Sequence, residues 1–228
     1  MKNTHHRILI VVAHSDDETL GIGGTIARHI NNGDEVYALS LTDGVGSRDK
    51  TIKNEIKIRT KAADEASEIL GFKWLKASNF PDNAMDSISL LEITKSIEEV
   101  KKKIMPSIIY THSSADLNID HRLVCQATMT AFRPEVKDVW REIRTFEVAS
   151  STDYGHKSIT NLFQPNLYIN ITKFWDKKLN ALNAYNSEMR NPPHSRSIEG
   201  IENLAKYRGN QVGLHYAEAF EVIRKIER

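Results

Sequence analysis

Cysteine is almost absent from this chain: Cys125 is the one such residue in 228. A lone thiol excludes an intrachain disulfide framework and fits a reducing compartment. It lies in the apolar pattern Leu123-Val124-Cys125-Ala127 of an expected helix, where a thiol acts as a small buried hydrophobe and not as a nucleophile. An excess of either charge is also missing. With 31 Lys and Arg against 30 Asp and Glu the formal charge is +1, so there is no general attraction to nucleic acid. No window reaches the roughly 18 apolar residues of a spanning helix. The opening Met1–His6 leads into an apolar run of only about seven residues and not into a signal-peptide core, so the expected location is cytoplasmic. Internal repeats and low-complexity segments are lacking too.

What is present is an alternation of strand and helix signals. The run Ile8-Leu9-Ile10-Val11-Val12 reads as a fully buried strand. A helix is expected over Gly21–Ile30, a strand over Glu35–Leu41, a long helix over Thr51–Leu70 stopped by Gly71, and a short strand over Phe72–Leu75. Asp86 or Ser87 is expected to cap a helix running to Ile104. Ser107–Tyr110 reads as a strand, followed by a helix to Phe132 that Pro134 halts. Strands over Arg144–Val148 and Leu167–Ile171 follow, then helices over Lys173–Arg190 and Ser197–Tyr207 that flank Pro192-Pro193-His194. The expected fold is α/β, a Rossmann-like three-layer α/β/α arrangement with a mostly parallel central sheet, in one domain over 1–228. A chain of this length buries about 70% of its unfolded surface.

The chemistry is concentrated at two strand ends. His14-Ser15-Asp16-Asp17-Glu18 follows the first strand, and open α/β sheets bind ligands at the carboxyl ends of their strands. Three acids so close together repel one another unless a cation or proton offsets their charge, and a divalent metal is the simplest offset. The second cluster, Thr111-His112 through Asp116 to Asn118-Ile119-Asp120-His121-Arg122, repeats the pattern after the Ser107–Tyr110 strand. A zinc hydrolase needs three N/O ligands and an open position. His14, Asp17 and His121 would supply them, Asp16 would stand beside the metal as a proton acceptor, and Asp120 would orient the His121 ring.

These paired motifs resemble the LmbE-like (PIG-L type) zinc-dependent N-acetylglucosaminyl deacetylases, and the resemblance extends from Arg7 to about Arg224. It implies hydrolysis of the N-acetyl group of an N-acetylglucosamine-type sugar or glycoconjugate. It also implies zinc, with Fe²⁺ or Co²⁺ as substitutes, on His14, Asp17 and His121, with Asp16 as general base. Arg59 matches an arginine that contacts substrate in members acting on small glucosaminides. Three positions depart from the pattern: Ser15 stands where proline is usual, Asn118 where some members have a histidine that polarises the amide, and Ala62 where an acid often follows the helix arginine. The proton for the leaving amine is expected from protonated Asp16, with His112 or His194 as alternative acid, and N–H groups of the Gly44–Ser47 loop are candidate oxyanion or substrate contacts.

Other readings remain beside this one. Gly21-Ile22-Gly23-Gly24 after a strand has the look of a dinucleotide turn, but its spacing is imperfect and three acids would face the pyrophosphate; tight packing of the helix is the simpler role. The acids could instead form a magnesium-dependent phosphate or nucleotide-sugar binding module without deacetylase activity, against which the two histidines argue. Lys101-Lys102-Lys103 reads as a solvated helix end. His194 and Arg196, in a proline-broken loop, are candidates to grip the substrate's acceptor group. Trp140, Tyr154, Trp175 and Tyr185 are core residues first and sugar platforms second. The expected partner is an amino-sugar substrate, and assembly into a homo-oligomer is left open.

Overall fold

Alternate residues of the first strand enter two different cores. In the computed structural model, which describes residues 5–47, 53–75 and 79–227, β1 (Arg7–Val12) sends Ile8, Ile10 and Val12 to one side and Leu9, Val11 and the following Ala13 to the other. Each buried Ile, Leu or Val among these contributes about 1.5–3 kcal/mol. A slip of one residue would exchange the two sets, so the register is strongly specified.

The chain continues through α1 (Asp17–Asn31), β2 (Glu35–Ser40), α2 (Lys53–Leu70), β3 (Lys73–Leu75), α3 (Leu90–Ile104), β4 (Ile108–His112), α4 (Ile119–Ala131), β5 (Glu142–Phe146), β6 (Leu167–Asn170), α5 (Trp175–Ala184), α6 (Ile198–Asn210) and β7 (Ala217–Lys225). The strands form one sheet in the order β3-β2-β1-β4-β5-β7-β6. From β3 to β5 all pairs are parallel, and β7 runs antiparallel to both β5 and β6. Helices α1, α2, α5 and α6 cover one face and α3 and α4 the other, which gives the expected three layers. Strand order reverses between β1 and β4, so a crevice opens at their carboxyl ends, where such sheets bind ligands.

Several element boundaries differ from expectation for local reasons. α1 begins at Asp17, before the glycines. Ser89, and neither Asp86 nor Ser87, caps α3: its hydroxyl accepts the Glu92 N–H, while Met85–Ser87 forms a separate 3-10 turn. α5 stops at Ala184 instead of Arg190, and its Thr172–Phe174 approach is also 3-10. Strand β7 has no counterpart among the expected elements, because the buried Glu218 interrupts its apolar pattern. Gly71 closes α2 with φ +91°, as anticipated; Thr51, the expected start of that helix, lies outside the described residues.

Candidate metal centre

The link from β1 to α1 is short, and its geometry decides what each acid does. Asp16 occupies the N-cap position of α1, and Asp17 and Glu18 lie in its first turn. Asp17 Oδ2 accepts the His14 N–H at 2.9 Å, which folds the loop back on itself. Across the crevice, Asn118 caps α4 by accepting the Asp120 N–H at 2.8 Å, so His121 stands in the first turn of that helix. Two helix starts thus bring their side chains together at one sheet edge.

His14, Asp17 and His121 converge. His14 Nδ1 is 3.2 Å from Asp17 Oδ2 and 3.2 Å from His121 Nε2, and His121 Nε2 is 3.3 Å from Asp17 Oδ2. An ion bonded at the ~2.0–2.2 Å typical of zinc sets tetrahedral neighbours roughly 3.3 Å apart. Behind each ring stand further carboxylates: His121 Nδ1 meets Asp116 Oδ2 at 3.0 Å, and His14 Nε2 faces Asp82 Oδ1 at 3.1 Å and Asp120 Oδ2 at 3.4 Å. This is how ligand histidines are oriented, with the far nitrogen held by a carboxylate and the near one turned inward. The donor set fits a divalent metal.

The local field points the same way. Burial works against a charged His14, but Asp120, Asp17 and Asp82 outweigh it and raise its pKa well above the ordinary value. Likewise burial opposes, and Asp17 and Asp116 reverse, a shift that takes His121 up to about 9. Asp17, despite burial, is held well below the carboxylate range by His121 and His112. The ring nitrogens therefore sit in a negative field that favours a positive ion between them.

The three neighbouring acids have three different solutions. Asp17 joins the histidines. Asp16 Oδ1 pairs with Arg59 NH2 at 2.7 Å, while its Oδ2 makes no hydrogen bond and lies 3.5 Å from Arg196 NH1. Glu18 turns away toward α5, accepting hydrogen bonds from Thr19 Oγ1 and Tyr185 OH, and burial pushes its pKa up to about 8.

Around these groups is a polar cavity of about 160 Å³, lined among others by His14, Asp16, Asp17, Arg59, Asp82 and Arg196. Arg59 is buried, bridging Asp16 and Glu188 (NH1 to Oε2, 2.8 Å), with Nε donating to Ser15 Oγ and the guanidinium over the Tyr185 ring. Gly44 (φ +68°) also lines the cavity, and a Cβ there would lie 3.2 Å from Arg59 NH2.

Other expected roles change. Asp120 does not touch the His121 ring: its oxygens accept the N–H groups of Asn83 and Met85, and Asp116 is the partner of His121 instead. The signal for Asp116 lay in the second motif, although nothing in its spacing ranked it above the acid adjacent to His121. His112 is fully buried and stacked on His121; its Nε2 accepts the Ala13 N–H at 2.9 Å, and burial, reinforced by His121, lowers its pKa to about 3. Burial and the engagement of Nε2 both disfavour His112 as the acid. His194 is not among the cavity-lining residues: its Nδ1 accepts the Arg196 N–H and shapes the loop. Arg196 alone of that loop reaches the site. The N–H groups of Gly44, Val45, Gly46 and Ser47 are all spent on Thr42, Asp43 and Asp82. None of the four aromatic candidates lines the cavity. Asp82 and Glu188 were not anticipated.

Comparison with known proteins identifies the family. Residues 9–132, more than half of the chain, match the PIG-L family, described as GlcNAc-PI de-N-acetylase. The chain is 26% identical over 233 residues to the diacetylchitobiose deacetylase of Thermococcus kodakarensis, covering 97% of this chain and 84% of the relative. It is also 26% identical over 204 residues to the 4-oxalmesaconate hydratase of Pseudomonas putida, covering 80% and 74%. Among solved structures, the N,N'-diacetylchitobiose deacetylase of Pyrococcus horikoshii shares the fold, with a TM-score of 0.75 at 22% identity over 97% of this chain and 85% of that one. The chain belongs to the PIG-L family of de-N-acetylases.

Proposed function

We propose that this protein is a zinc-dependent hydrolase that removes the acetyl group from an N-acetylglucosamine-type sugar or glycoconjugate, releasing acetate and a free amino sugar. The observation that carries this reading is the convergence of His14 Nδ1, Asp17 Oδ2 and His121 Nε2 beside a carboxylate, Asp16, that is not a member of the set. A divalent ion held by the three would supply Lewis acidity, lowering the pKa of water and drawing charge from the acetamido carbonyl. Two ring nitrogens and one carboxylate suit zinc, with Fe²⁺ or Co²⁺ as substitutes.

The chain's own residues do the proton work. Asp16 Oδ2, without a hydrogen bond in the cavity wall, accepts the proton of the attacking water. The same carboxyl returns it to the sugar nitrogen as the C–N bond breaks. Arg59 grips the other oxygen of Asp16 and so fixes the direction in which Oδ2 points. Asn118 places a neutral amide at the cavity wall, its Nδ2 donating to Asn83 Oδ1 at 3.0 Å.

The hydratase among the relatives motivates a second reading, addition of water to an unsaturated dicarboxylic acid. The lining disfavours it. The lining carries four carboxylates (Asp16, Asp17, Asp82 and Glu188) against two guanidinium groups (Arg59 and Arg196), so with His14 and His121 neutral even a bound divalent ion leaves no net positive charge to attract a dianion, whereas a neutral acetamido sugar needs no such attraction. A magnesium-dependent phosphate or nucleotide-sugar module meets the same objection. The deciding experiment strips the protein with a chelator, restores it with Zn²⁺, Co²⁺, Fe²⁺ or Mg²⁺, and measures acetate released from N-acetylglucosamine, its glycosides and nucleotide-linked N-acetyl sugars. Acetate release restored by Zn²⁺ is expected; no acetate from any of them, or restoration by Mg²⁺ alone, overturns the proposal.

A further inference from the structure

Helix α1 is broken just after the turn that carries Asp17. Ile22 leaves the helical region, at φ −136° and ψ 20°. In an unbroken helix the Gly24 N–H would donate to the Leu20 carbonyl and the Thr25 N–H to that of Gly21. Instead, the Leu20 carbonyl accepts from Lys178 Nζ at 2.9 Å, and the N–H groups of Gly24 and Thr25 donate to the two oxygens of Glu218 at 2.9 and 2.7 Å. Lys178 and Glu218 pair with each other at 2.6 Å, and both are buried. One ion pair, reaching in from α5 and β7, therefore satisfies three backbone groups that the break sets free, the Leu20 carbonyl and the Gly24 and Thr25 N–H groups.

The glycines make this approach possible. A Cβ at Gly23 would lie 3.2 Å from Lys178 Cγ, and one at Gly24 would lie 2.7 Å from Ile171 Cβ. That accounts for the Gly-rich stretch without any phosphate. Burying two charges carries a desolvation cost that an apolar pair of the same size would avoid. An apolar pair, however, would leave the Leu20 carbonyl and two N–H groups unsatisfied unless the helix straightened. A straight helix would swing its first turn, and that turn bears Asp17 directly after Asp16.

We propose that the Lys178–Glu218 pair is a positioning device that holds the break in α1 and thereby sets the direction of Asp16 and Asp17 relative to His14 and His121. Its consequence for metal rests on the metal-centre reading above. The test compares Glu218→Gln, which changes one functional group, with the apolar double variant K178M/E218L. Two quantities are measured: the dissociation constant for Zn²⁺ by chelator competition, and deuterium uptake of metal-free protein by mass spectrometry. In both variants the Zn²⁺ dissociation constant is expected to rise roughly 10–100-fold, the size of effect seen when support behind metal ligands is lost. Uptake is expected to rise in the segment 14–25 and to stay unchanged in β1, β4 and α4. Folded variants with unaltered affinity and unaltered uptake in 14–25 would overturn the proposal, and so would a uniform rise across the sheet, the mark of a purely structural pair. The exchange measurement uses no metal and no substrate, so it decides the positioning role even if the deacetylase reading fails.

Discussion

Replacing Asp16 with asparagine removes one charge and almost no volume. The amide oxygen can still accept from Arg59, which now sits 2.7 Å from Asp16 Oδ1, and Arg59 keeps its second carboxylate, Glu188. Losing one charged hydrogen bond in so well compensated a place should cost stability only about 1–3 kcal/mol. The metal donors are untouched, since Asp16 is not one of the three converging groups. What disappears is the proton acceptor at Oδ2. General-base catalysis contributes typically 10²–10⁴-fold, so kcat for acetate release should fall by that factor, equivalent to about 3–5 kcal/mol of transition-state stabilisation. KM should change little, because the substitution leaves the cavity shape intact. The assay follows acetate release from an N-acetylglucosamine glycoside, alongside metal content and a thermal melt of the same sample. A folded, metal-loaded D16N protein whose kcat stays within about threefold of wild type would refute the assignment; loss of metal together with rate would make Asp16 a ligand instead.

Other outcomes follow from the same geometry. Asp116→Ala removes the carboxylate behind His121 Nδ1 and should weaken metal binding roughly 10–100-fold, as read by chelator competition; unchanged affinity would leave Asp116 with no role at the centre. Arg59→Ala should be far more damaging than Arg196→Ala. The first removes a buried cation that pairs with both Asp16 and Glu188, which should cost about 3–5 kcal/mol in thermal or denaturant unfolding and lower kcat; the second removes a partly exposed group 3.5 Å from Asp16 and should act mainly on KM. Equal effects of the two on stability would contradict the burial argument. Cys125 is buried, and burial, with Glu221 and Asp116 adding to it, raises its thiol to about 12. At pH 8 the reactive thiolate is then roughly one part in 10⁴, so a thiol reagent should titrate it only after unfolding; rapid reaction of one equivalent with native protein would show the site to be open.

The candidate metal triad is legible because its members are local in the right sense: His14 and Asp17 leave the same strand end, and His121 opens the helix after a second strand. Their grouping needs only the adjacency of β1 and β4. Arg59 is picked out by the family resemblance alone, and its mode of burial is not legible in sequence, since Glu188 lies 129 residues further on, in the turn that follows α5. Asp120 precedes His121 directly, and adjacency in sequence suggests contact. Adjacent residues of a helix face about 100° apart, and the ring of His121 meets the carboxylate on the loop before the helix instead. His194 illustrates the opposite error: a chemically capable side chain used to hold its own loop. Strand β7 is not legible in sequence because one of its inward positions is Glu218, whose partners lie in α1 and α5.

The pairing of β1 with β4 carries a consequence for the order of assembly. His14 and His121 are 107 residues apart in the chain and become neighbours only when Ile8 through Val11 lie beside Ile108 through Thr111. Parallel pairing over such a separation pays its loop-closure entropy before any contact repays it, which makes it a slow step of folding. An unfolded chain can present His14 and Asp17 together, but not the third donor. An ion held by the three would therefore find its complete cage only in the finished fold, where it would stabilise by mass action and slow unfolding more than it speeds folding. On the proposed metal-centre reading, the chain would fold first and load afterwards, so added metal should lengthen the life of the native state more than it speeds its formation.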